Sequence, residues 1–123
     1  MATYNAPPNI SGQTLNSGDI LNVNSGGTAS STINDGGTEY VYAGGTDIGA
    51  TINYGGVEYV YSGGAANNTT INFGGVQYDY GRSNTATINA GGVQYIYEGS
   101  STYATINYGG IEFVSIPRQS RGL

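Results

Sequence analysis

The chain has 123 residues and a net charge of −5, from eight acids against Arg82, Arg118 and Arg121, with no lysine, histidine, cysteine or tryptophan. Without a basic footprint it is not expected to bind nucleic acid or an anionic membrane, and without thiols it forms neither disulfides nor thiolate metal sites. What is left is one domain with 22 glycines and 12 tyrosines, and no apolar run long enough for membrane insertion.

In chain order, the first segment, residues 1–13, has no basic n-region and no apolar h-region. It reads as a cap or lead-in, and the expectation is a chain not exported by a cleaved signal, or an excerpt of something larger. From Thr14 to Ser115 one phrase returns six times: Thr-Ile-Asn, with Leu15 for Ile in the first copy, a glycine turn, then a short apolar and tyrosine-rich run. It is clearest at Thr51-Ile52-Asn53-Tyr54-Gly55-Gly56-Val57-Glu58-Tyr59-Val60-Tyr61-Ser62-Gly63-Gly64. Anchored on Thr14, Thr32, Thr51, Thr70, Thr87 and Thr105, the steps are 18, 19, 19, 17 and 18 residues. Residues 116–123, with Pro117 and two arginines, depart from the repeat and read as a C-terminal cap or tail.

A unit this short cannot bury a core alone, so its copies must stack. Each unit offers two β-branched or aromatic arms separated by Gly-Gly corners, and none has helical periodicity. A meander gains nothing from matching copies, whereas stacked coils place every column over itself at about 4.8 Å. The fold class expected is therefore all-β: a parallel β-solenoid of about six coils of 17–19 residues, about 29 Å long.

The columns predict which way side chains point. Leu15, Ile33, Ile52, Ile71, Ile88 and Ile106 are expected inside, with Thr and Asn ladders outside. The second arm has two apolar columns three residues apart, at Ile20, Thr38, Val57, Val76, Val93, Ile111 and at Val23, Val41, Val60, Asp79, Ile96, Val114. Strict alternation cannot bury both, so a bulge is expected, leaving Glu39, Glu58, Gln77, Gln94 and Glu112 outside and Tyr40, Tyr59, Tyr78, Tyr95 and Phe113 near the bend. The column Tyr42, Tyr61, Tyr80, Tyr97 begins at Asn24 and ends at Ser115, and is expected to form an exposed aromatic strip that argues for a partner. The fourth coil is irregular: Gly81-Arg82-Ser83 stands where the third has Ser62-Gly63-Gly64.

The phrase Thr-Ile-Asn-x-Gly-Gly-Val-x-Tyr-Val-x-Ser-Gly-Gly resembles the passenger strand-loop-strand repeats of AIDA-type and self-associating bacterial autotransporter adhesins, over nearly all of Gln13 to Ser115. That resemblance implies a right-handed parallel β-helix at a bacterial cell surface, acting in adhesion, autoaggregation and biofilm formation. It also implies O-heptosylation by a dedicated heptosyltransferase. Carried onto this chain, the acceptors would be Thr28, Ser30, Ser31, Thr32, Thr46, Thr51, Thr69, Thr70, Ser83, Thr85, Thr87, Ser101, Thr102 and Thr105. The partners implied are a second copy of the chain, a heptosyltransferase, and host or surface glycans.

Other chemistries fit less well. A Thr-x-Asn array at about 7 by 4.8 Å has the spacing of an ice-binding surface, but Asn before x-Gly-Gly is a turn signature bonding its own neighbours. Glu39 and Glu58 adjoin in one column, yet two carboxylates make a poor calcium cage, and the column reads as solvated charge. Acids in one repeating column, without histidine or lysine, do not make an acid–base pair. No catalytic, cofactor-binding or metal-ligating set is assigned, and no enzyme is expected. An alternative role is a structural solenoid joining end to end as a fibre or scaffold.

Overall fold

The computed structural model describes residues 1–115; the C-terminal cap or tail expected at 116–123 lies outside the described residues. Among the described residues there is no helix, and 19 short strands form three parallel sheets. A coil carries three strands rather than the two expected, as in Thr51–Ile52, Val57–Val60 and Ala65–Asn67. Each pairs in parallel with its counterpart one coil away. The Val57–Val60 type builds a broad sheet of seven strands, and the other two types build six-stranded sheets. The sequence hides the third strand because Ala65-Ala66-Asn67 and Arg82-Ser83-Asn84 are poor strand formers; pairing above and below makes them extended.

Glycine-rich corners allow the coils to stack closely. A Cβ on Gly75 would come within 2.4 Å of the Ile52 carbonyl oxygen, so any larger residue would force adjacent coils apart. The corner before each Thr-Ile-Asn strand instead uses left-handed residues: Ser31, Asn68, Thr85 and Tyr103 stand at φ 54–58°, in line with Gly12 and Gly49.

The N-terminal lead-in joins the stack. Thr3–Ala6 pairs with Ile20–Val23 as the first strand of the broad sheet, and Ile10–Ser11 pairs with Thr28–Ser30. Asp19, where other copies have the second glycine, ties this strand down by accepting from the Ala2 and Asn16 amides at 2.8 and 2.9 Å. Those backbone bonds, Asn16 first, hold its carboxyl below the usual carboxylate range.

Two expectations about side-chain direction are overturned. Val57–Val60 is a regular strand without a bulge, so alternation sends Glu58 and Val60 inward and Val57 and Tyr59 outward. Glu39, Glu58, Gln77 and Gln94 are fully buried, not solvated. In the second coil the register slips by one residue: Ile33 lies opposite Thr14 and Thr51, and Asn34 opposite Leu15 and Ile52. Because side chains alternate, the slip turns Ile33 out to 41% exposure and buries Thr32 and Asn34. The core is correspondingly long and thin, with Leu15, Leu21, Val23, Val41 and Val60 in one cluster and Ile52, Ile71 and Ile88 in another.

Candidate functional site: a double tyrosine ladder

The regular alternation that buries Glu58 places both Tyr59 and Tyr61 on the outer side of the broad sheet. Stacking then makes two adjacent columns. Tyr40, Tyr59, Tyr78, Tyr95 and Phe113 succeed one another with ring centroids 5.4, 5.0, 5.1 and 5.1 Å apart. Tyr42, Tyr61, Tyr80 and Tyr97 follow at 5.3, 6.2 and 5.2 Å. The columns touch sideways, with Tyr40–Tyr42 and Tyr95–Tyr97 each at 6.0 Å. All are stacked rather than edge-on, an arrangement the strand spacing imposes.

Of the four tyrosines expected in an exposed strip, Tyr42 and Tyr80 are exposed, at 37% and 40%, and Tyr61 and Tyr97 are half-buried. Sequence reasoning missed that the other column lies beside it; the signal available was strict alternation, which the assumed bulge set aside. Loss of water, then the neighbouring tyrosines, raises the Tyr61 and Tyr78 hydroxyls above the usual phenol range. The face is accordingly uncharged at neutral pH, with apolar ring surface carrying hydroxyl donors. At its edge an open groove of about 370 Å³ is lined by Gly64, Tyr80, Arg82, Glu98 and Ser100 among others.

The hydroxyl positions divide by the strand alternation. Ser31, Thr85, Thr102 and Thr105 are exposed; Thr28, Ser30, Thr46, Thr51, Thr70, Thr87 and Ser101 are half-buried; and Thr32, Thr69 and Ser83 are buried. Ser83 belongs to an internal network, accepting from Gln94 Nε2 at 2.9 Å. Asn53, Asn72, Asn89 and Asn107 bond one to the next at 2.7–2.9 Å, so this face meets its own hydrogen-bonding needs. The Thr ladder is broken where Ile33 replaces Thr32 in register.

Inside the rod, Glu39 and Glu58 are joined by Asp47 from the corner strand Thr46–Ile48, all three fully buried. Sequence reasoning missed Asp47 because that strand was read as a corner. Burial first, then the adjacent acids, pushes the Glu39 and Asp47 carboxyls well above the usual range. Two coils on, the same column is amide: Gln94 Nε2 donates to Gln77 Oε1 at 2.6 Å, and Gln77 Nε2 to Glu58 Oε1 at 2.7 Å.

No protein-family model matches the sequence, and no curated protein does. Among solved structures the chain is similar to the TibC-catalysed, hyper-glycosylated TibA55-350 fragment, with 29% identity and a TM-score of 0.75. The likeness covers 92% of this chain and 49% of that one, so the chain spans about half the length of the structure it matches. The repeated Thr-Ile-Asn motif, the three-sheet parallel solenoid and this likeness converge on one conclusion: the chain is similar, in repeat and in fold, to an AIDA-type autotransporter passenger.

Proposed function

We propose that the chain is a non-enzymatic adhesin module of the bacterial cell surface that self-associates side by side through the double tyrosine ladder. The observation that carries this reading is the row of nine stacked rings on one face, continuous from the second coil to the sixth and partly exposed. Each ring contact is weak, but a rigid periodic row lets many form together, and avidity multiplies them. Surface glycans would stack on the same rings. Light scattering tests it: the wild type should associate as concentration rises, and the Tyr42/Tyr61/Tyr80/Tyr97→Ser variant should need at least about tenfold more protein to do so. A wild type that stays a monodisperse monomer at millimolar concentration would sink the proposal.

A second role is favoured by the hyper-glycosylated state of the TibA fragment. We propose that a heptosyltransferase modifies hydroxyls of this chain, with the exposed Ser31, Thr85, Thr102 and Thr105 as first acceptors and the half-buried positions after them. Intact-mass spectrometry after co-expression should show heptose increments whose number falls by up to four when these four are replaced by alanine. An unmodified mass from the wild type would exclude it.

A further inference from the structure

We propose that the lumen of the second and third coils holds one hard divalent cation of calcium's size, coordinated by Glu39, Asp47 and Glu58. A carboxylate oxygen from each lies within 4.8 Å of the other two. Two oxygens bound to one calcium at about 2.4 Å can be at most about 4.8 Å apart, so the cluster is not too wide for that ion, and calcium accepts an irregular set of carboxylate oxygens more readily than magnesium does.

The second observation is independent of the clustering. Both oxygens of Glu39, both of Asp47 and Oε2 of Glu58 are buried and receive no hydrogen bond from any donor outside the three acids. Buried carboxylates ordinarily find donors or counter-charges. Among the described residues no basic side chain serves, because the sole one, Arg82, is exposed. The neighbouring coils differ: Gln77, Ser83 and Gln94 bond to one another, leaving Glu58 Oε1 as the acceptor at the end of that chain of amides. The amide ladder thus ends where the acid cluster begins. A divalent cation offsets two of the three charges, and the Gln77 amide supports what is left on Glu58.

Because all three acids are fully buried, the ion enters as the coils close, and its binding contributes to folding. The experiment follows from that. The full chain is unfolded in guanidinium with EDTA, refolded with either calcium chloride or EDTA, and desalted. The calcium-refolded protein should retain about one calcium per chain by elemental analysis, and melt at least about 5 °C higher than the EDTA sample. Glu39→Gln with Asp47→Asn should retain none and melt alike in both; should that pair not fold, Glu39→Gln alone should lower retention at least about tenfold. Wild-type protein that retains no calcium, or melts identically after either refolding, overturns the proposal and assigns neutralisation of the cluster to protons.

Discussion

The lumen of coils two and three and that of coils four and five share the three-strand coil and the inward column Glu39, Glu58, Gln77, Gln94, yet differ in chemistry. In the first, Glu39, Asp47 and Glu58 face one another with most of their oxygens unpaired. In the second, Gln77, Ser83 and Gln94 fill the equivalent places and bond in series. An amide has both a donor and an acceptor, so a column of amides propagates one bond per coil; a carboxylate only accepts, so a column of carboxylates needs something from outside the chain. The comparison teaches that a repeat fold fixes where a side chain points but leaves the chemistry of each column to the individual residue.

The most damaging way to break this contrast is Gln77→Glu. It removes the donor to Glu58 Oε1 and adds a fourth acid to the column, and should cost about 3 kcal/mol in urea unfolding at pH 7. Asp79→Val works in the opposite direction. Asp79 stands in the column of Val41, Val60 and Ile96 with Oδ2 unpaired, and burial pushes its carboxyl up to about 7 against the bond from the Gly81 amide. Its folded value lies above its ordinary 3.8, so stability is fully present below that value and is lost as pH rises toward 7. Valine should raise stability at pH 8 by about 1–2 kcal/mol and flatten the difference between urea midpoints at pH 4 and pH 8. Thr32→Val is the smallest change. It removes a buried hydroxyl without a partner and should gain about 1 kcal/mol, whereas Thr51→Val at the same repeat position, half-buried in regular register, should change melting little.

Much of this architecture was legible in the repeat. Ile52, Ile71 and Ile88 point inward as their column required, and Tyr42, Tyr61, Tyr80 and Tyr97 lie outside. The expected outward acid column fails for one reason. Valine at 57 and 60 looked as though both had to be buried, so Glu58 was placed outside; in the structure Val57 is half-buried on the outer face and the acid goes in. Alternation outweighs hydrophobicity here because the Val57–Val60 strand is paired residue for residue with Thr38–Val41 and Val76–Asp79 on either side of it. Asp47 was passed over because its strand has no composition of its own to announce it.

Sequence alone determined that the chain stacks, at what period, and into which class of fold, because identical columns at 17–19-residue steps are useful only when superposed. Tertiary structure alone decided the third strand, the one-residue slip at Thr32–Asn34, the pairing of two tyrosine columns into one face and the meeting of Asp47 with Glu39 and Glu58. Each of these depends on which residues of different arms come opposite across the lumen or side by side on the sheet, and that is set by how far each corner turns the chain, a quantity that a single repeat read in isolation does not contain.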